Sequence, residues 1–248
     1  MPFGEVRLDR DGPIARLVFA RPQALNALSP TLIAEALQVA EDVATSDARV
    51  LIVAGDGKAF SAGVDLKAST SADYTRDVAR RFSEQARALA LRFETMPQAA
   101  IAQVQGYCFT GALELALGCD LIVAADDTVF CDTHGKLGLR PGWGLSQRLP
   151  RRIGGQRARE MSFTARRIGA EEAVRIGLAL EAVPRAALDA RVRELALQIA
   201  EMNPDSIAAY KALYRAAEAG LDEGLAFETS YRRPRSTGPN LEAWKQKA

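Results

Sequence analysis

Histidine, cysteine and aromatic residues are scarce in this chain. Among 248 residues there is one histidine, His134, and there are three cysteines, Cys108, Cys119 and Cys131. An odd cysteine count with no C-x-x-C pair, beside a single imidazole, argues against both a disulfide framework and a zinc site. The thiols are expected to pack as small apolar groups of a reduced, cytoplasmic protein. An excess of one charge is missing too. Lys and Arg number 32 against 31 Asp and Glu, a formal net charge of +1, so nothing calls for nucleic acid or a membrane surface as partner. The longest apolar territory, residues 99–125, is interrupted by Gln103, Gln105, Glu114 and Asp120 and does not read as a membrane span. The first ten residues carry charges and no apolar stretch, which is not the pattern of a secretory signal. Neither G-x-G-x-x-G nor G-x-x-x-x-G-K-[ST] occurs, so the common nucleotide loops are excluded.

What is present suits a globular protein with a real core: 48% hydrophobic and 25% charged residues, in a chain long enough for one large domain with an appended helical part. Val6–Asp9 and Ile14–Phe19 flank Asp11-Gly12-Pro13 and predict an antiparallel pair. Ser29-Pro30 fits an N-cap and first helical position, opening a helix to about Thr45. Arg49–Gly55 is a continuous apolar strand of the parallel-sheet kind. A helix is expected from about Tyr74 to Glu94, before Met96-Pro97. Ala99–Val104, a turn at Gly106, an apolar helix from Thr110-Gly111-Ala112 to Gly118, and Leu121–Ala125 outline a βαβ unit. Phe130–Leu139 looks extended. Beyond it the pattern is helical at about 145–152, 156–163, 170–176, 186–201 and 205–230, with a short strand at Leu180–Val183.

Glu114 does not belong in a plain core helix. Leu113, Leu115, Ala116 and Leu117 surround it, and the only Lys or Arg between Ala88 and Leu121 is Arg92. A carboxylate there is costly to bury without compensation. It serves chemistry, sits at a solvent edge, or pairs with an arginine brought from afar. Two loops also stand out, Ser61-Ala62-Gly63 and Thr110-Gly111-Ala112. Each follows a buried run and offers small residues whose N–H groups can face a ligand. Two such donors converging on one oxygen make an oxyanion hole.

Three segments carry a family resemblance: Lys58–Lys67 (KAFSAGVDLK), Gln105–Asp120 (QGYCFTGALELALGCD) and Leu137–Arg148 (LGLRPGWGLSQR). With the Arg21–Leu28 loop and the Ala158–Val183 region, they make the chain resemble the crotonase superfamily of enoyl-CoA hydratases and isomerases over about residues 5–205. The stretch containing Arg232–Arg235 resembles it only loosely. The resemblance implies an α/β fold, a spiral of ββα turns with a C-terminal helical region. On that basis residues 1–194 are expected to form the core domain and 195–248 a helical trimerisation region, in a homotrimer or a hexamer built as a dimer of trimers. The implied ligand is an acyl-CoA thioester, with no cofactor beyond its coenzyme A moiety.

By position, the resemblance puts the backbone N–H groups of Ala62 and Gly111 on the thioester oxygen. It sets Ala24, Gly63, Val64, Asp65 and Leu66 against CoA. Glu114 matches one of the two glutamates that hydratases of this kind use, and the other falls on His134. An imidazole titrates near pH ~6.5 and can carry protons in either direction. If residues 132–134 are extended, Asp132 lies on the same side and can orient it. Alternatively His134 only lines the pocket and hydrogen-bonds Glu114. Asp65 reads first as a loop cap, Asp120 as a cap at a strand start, and Trp143 as either an acyl-pocket wall or plain packing. Basic residues of the C-terminal helices face CoA phosphates or solvent. Hydration of a trans-2-enoyl-CoA, isomerisation through the same enolate, and acyl-CoA binding without turnover all remain compatible with these residues.

Overall fold

Ser29 caps α1 (Pro30–Ala44) through its side-chain oxygen, which accepts the Leu32 N–H at 3.0 Å, and Pro30 takes the first helical position, where no N–H is needed. Thr75 caps α3 (Arg76–Thr95) in the same way. The computed structural model describes residues 4–217 together with 220, 223, 227 and 230. Of the helix expected over 205–230, Pro204–Ala217 is seen; most of its remainder, the Arg232–Arg235 stretch and the last 18 positions lie outside the described residues.

β1 (Val6–Asp11) and β2 (Ile14–Phe19) pair antiparallel, with Asp11 opposite Ile14 across the Gly12-Pro13 turn. β2, β3 (Val50–Gly55), β4 (Ala99–Val104), β6 (Leu121–Ala125) and β9 (Glu181–Val183) then run parallel, giving a six-stranded sheet ordered β1-β2-β3-β4-β6-β9. β3 and β4 are buried at every position because both sheet faces are covered. Leu51 and Val53 face the α1, α3 and α4 (Gly111–Gly118) layer, while Val50, Ile52 and Ala54 pack with Leu188, Val192 and Ala196 of α8 (Leu188–Ala200). The expected division between residues 194 and 195 therefore falls inside a helix that belongs to the sheet on both sides of it.

A second sheet, β5-β7-β8, is built from β5 (Tyr107–Phe109), β7 (Val129–Cys131) and β8 (Ile168–Gly169). The chain alternates between the two sheets: β4 then β5 then α4, followed by β6 then β7. That alternation is the expected ββα turn. α5 (Leu145–Ile153), α6 (Gly155–Thr164) and α7 (Ala170–Arg175) follow, and α9 (Pro204–Ala217) comes after α8.

The structure adds one helical turn and shortens one stretch read as extended. Loop residues after Asp65 form a single helical turn, α2 (Leu66–Ser69), because the Asp65 carboxylate caps the Lys67 and Ala68 N–H groups at 3.1 Å each. Phe130–Leu139 is extended only to Cys131. The Asp132 side chain accepts the His134 N–H at 3.1 Å, and the backbone turns helical at His134 (φ −51°, ψ −47°), continuing into a 3-10 turn at Gly135–Leu137. A side chain bonding the backbone two residues on competes with strand geometry, and here it wins.

Candidate active site

Glu114 projects from the first turn of α4 and is 1% exposed. Among the described residues neither a solvent edge nor a distant arginine compensates it. Its Oε1 accepts two backbone N–H groups, from Trp143 at 2.8 Å and from Leu145 at 3.1 Å, the latter the first residue of α5. Helix-start amides are free donors at the positive end of the helix dipole, so they suit a carboxylate. Burial still dominates and raises the Glu114 pKa, although those two bonds and His134 pull it down. The Gly-Trp-Gly turn carrying the Trp143 amide is held by Arg148, which donates to the Trp143 carbonyl at 2.9 Å and pairs with Glu94 at 2.6 Å.

Oε2 of Glu114 faces His134 Nε2 at 3.7 Å. His134 is 7% exposed, and its other ring nitrogen, Nδ1, lies 2.7 Å from Oδ1 of Asp132, itself 1% exposed. The expected same-side arrangement of Asp132 and His134 is thus reached through a turn instead of an extended strand. Hydrogen bonds from His134 and from the Ser162 hydroxyl outweigh burial and hold the Asp132 pKa below the usual carboxylate range.

The two small-residue loops meet. A Cβ on Gly63, whose φ is +93°, would stand 2.9 Å from the Phe109 carbonyl oxygen and 3.6 Å from Thr110 Cβ. Thr110 adopts φ +52°, ψ −109°, a backbone conformation rare for a β-branched residue. Its N–H is fixed by the Cys131 carbonyl at 2.8 Å and its hydroxyl by Thr133. This bend leaves the Gly111 N–H at the helix start with no acceptor among the described residues. Gly111 is required sterically as well, because a Cβ there would lie 2.4 Å from the Trp143 ring. The indole is anchored by its own N–H on Ser83 at 3.2 Å and by an edge contact with Phe82, centroids 5.3 Å apart.

In the other loop the N–H of Ala62 is engaged. It donates to the Leu25 carbonyl at 3.0 Å, and the Gly63 N–H meets Ser61 Oγ at 3.2 Å. The Val64 N–H is the one without an acceptor among the described residues, although the flanking groups bond Leu28 on both sides: Gly63 O accepts the Leu28 N–H at 2.8 Å, and the Asp65 N–H donates to Leu28 O at 3.0 Å. Asp65 behaves as the cap it was read to be, and its Oδ2 also receives Arg21 at 2.9 Å. Ala24 closes a 3-10 turn, with Leu25 and Asn26 at positive φ beside it. Buried Asn26 ties this turn to the next loop by donating to the carbonyls of Asp56 and Ala59, 2.8 Å each. Leu66 is exposed. Among the described residues no group of three His, Cys, Asp or Glu side chains is placed to hold a metal, and no helix is long and apolar enough to cross a membrane.

The sequence reading missed the Trp143 and Leu145 amides, the Val64 amide and the Ser162 contact. Only the last involves a side chain, and its serine has no marked pattern around it.

The fold agrees with known proteins. Residues 9–233 match the enoyl-CoA hydratase/isomerase family. The probable enoyl-CoA hydratase echA8 of Mycobacterium bovis is 37% identical over 234 residues, 92% of this chain and 88% of that protein. The short-chain-enoyl-CoA hydratase of Clostridium acetobutylicum is 32% identical over 232 residues, with 92% and 88% covered. The crystal structure of an enoyl-CoA hydratase from Bacillus anthracis superposes with a TM-score of 0.91 at 31% identity, covering 98% of this chain and 97% of that one. The chain belongs to the enoyl-CoA hydratase/isomerase family of the crotonase superfamily, and it is an enzyme of that kind.

Proposed function

We propose that the enzyme adds water to a trans-2-enoyl-CoA, with Glu114 and His134 sharing the proton transfers and His134 standing where hydratases use a second glutamate. The observation that carries this reading is the facing pair itself: a buried carboxyl oxygen and a buried imidazole nitrogen 3.7 Å apart, each fixed from behind. The thioester oxygen takes up negative charge as water attacks C3, and two backbone N–H donors hold it. Gly111 supplies one. The other is assigned to Val64 in place of Ala62, because the Ala62 N–H already serves Leu25. Each donor is worth about 3–4 kcal/mol of transition-state stabilisation. Ala24, Gly63, Val64, Asp65 and Leu66 border the CoA path in this reading, Asp65 by shaping its loop. No cofactor beyond the CoA moiety enters it. The segment from residue 195 onward is the proposed subunit contact of a homotrimer or dimer of trimers, working in the cytoplasm.

Isomerisation is the second reading, favoured by the single glutamate at the site, since one carboxyl can shuttle a proton between two carbons. Binding without turnover is disfavoured by the intact fixation of Glu114. The test is loss of conjugated enoyl absorbance with crotonyl-CoA, for the wild type and for His134→Glu. Hydration by the wild type supports the proposal. A silent wild type with an active variant assigns the native reaction to other enolate chemistry.

A further inference from the structure

In a two-glutamate site both groups are carboxyls and either one accepts or donates a proton according to its surroundings. A neutral imidazole with its Nδ1 proton already committed enters the reaction as a base, through Nε2, and can donate only after it has been protonated there. Nδ1 of His134 lies 2.7 Å from Asp132, which is buried, bonded also by Ser162, and able only to accept when ionised. The Nδ1 proton therefore stays on that side, and Nε2, aimed at Glu114, carries the lone pair. The Asp132 carboxylate has no freedom to turn away, because the same Oδ1 also receives the His134 backbone N–H at 3.1 Å.

Resting on the hydratase reading, we infer that Asp132 is a positioning residue that holds His134 in its Nδ1–H tautomer, making His134 the base and Glu114 the proton donor. One O–H bond of water breaks and its proton passes to Nε2 as the oxygen bonds to C3. The C2=C3 electron pair moves to form the enolate, whose oxygen rests on the two amides. The Glu114 carboxyl then gives its proton to C2, and the carbonyl re-forms. Water has been added, leaving imidazolium at His134 and carboxylate at Glu114. Return of one proton from Nε2 to Oε2, across 3.7 Å through one water or a small ring rotation, restores the starting state. Burial favours the protonated form of Glu114 that this assignment needs.

His134 is the only histidine in the chain, so the protein labelled with ¹⁵N-histidine gives the ring signals of this one imidazole. Spectra of the full chain without substrate are expected to show the neutral ring protonated at Nδ1 and bare at Nε2. Asp132→Leu keeps the bulk of the side chain but removes the oxygen that both the backbone N–H and Nδ1 meet, so the neutral ring should lose its Nδ1–H preference and protonate at Nε2 as well. It should also lower kcat on crotonyl-CoA about 10²-fold or more with KM within a few-fold. Asp132→Ala, checked for folding by circular dichroism, should show both tautomers. A wild-type ring protonated at Nε2 overturns the inference, as does an Asp132→Leu protein with unchanged tautomer and kcat. The tautomer is read without substrate. Failure of the Asp132 assignment and failure of the hydratase reading are therefore separate results.

Discussion

A carboxyl group that receives two amide hydrogens and no guanidinium is held in place without a neutralising partner. Among the described residues that is the condition of Glu114, whose other oxygen faces only the His134 ring. Replacing it by glutamine keeps an oxygen for the amides and removes the titrating proton. Glu114→Gln is expected to abolish turnover while CoA-thioester affinity, measured by calorimetry, stays within a few-fold; retained turnover would remove Glu114 from the mechanism. The same variant tests the raised pKa. An acid with a raised native pKa binds more protons folded than unfolded between its unfolded value, about 4.3, and its native one. Wild-type stability then falls as pH rises through that window. Glu114→Gln lacks this decline, so its melting temperature should gain on the wild type as pH rises from about 4; a constant difference would contradict the raised pKa. At this scale the sequence showed which side chains matter but not what holds them. Glu114 was visible as a lone charge in an apolar helix. The amides that fix it come from positions 29 and 31 residues away, and any residue type carries an amide. The same blindness separates Val64 from Ala62: which N–H of the loop is free depends on its register against the Leu25 and Leu28 carbonyls.

Among elements, the helices and central strands were legible because capping residues and buried apolar runs announce them. Short pieces were not. The three residues of β5 hold too little periodicity to register, β7 was legible only as the start of a longer extended stretch, and the turn at 132–137 follows from one aspartate bonding the backbone two residues on. Contact between elements was equally hidden. Glycine at 111 read as a loop residue with a free N–H, while the structure adds a second demand, the Trp143 ring against its Cα. Gly111→Ala must push that ring or α4 aside, and overpacking of this kind costs about 1–3 kcal/mol. Thermal unfolding should register the loss together with reduced turnover; a variant as stable and active as the wild type would show the contact to be slack.

Across the molecule, Lys211 links α9 to the βαβ unit. Its ammonium donates to the carbonyls of Phe93 and Gln98 at 2.9 and 2.8 Å and pairs with Asp120 at 2.7 Å. Asp120 also accepts the Ala100 N–H, the strand-start role read from sequence, and its pKa is raised by burial even against Lys211. Lys211→Met leaves that carboxylate and two carbonyls without their cation. A loss of about 3 kcal/mol is expected, the low end for such pairs because Asp120 is part exposed. Urea denaturation measures it, and Asp120→Asn added to Lys211→Met should recover part of the loss. The helical layer was legible as a change of pattern after residue 145; its attachment through one lysine was not, since that depends on a contact spanning over 90 residues.

The Asp132–His134 bond differs in kind from the Glu114 clamp. It closes within three consecutive residues, in a turn made by its own side chain, whereas Glu114 is shared between α4 and the start of α5. The two side chains can be exchanged by a few codons while Thr133 between them stays and keeps its hold on Thr110 in the oxyanion loop. The scaffold thereby separates inheritance from variation: the part that steadies an enolate is woven through the fold, and the part that decides which way protons travel can be replaced on its own.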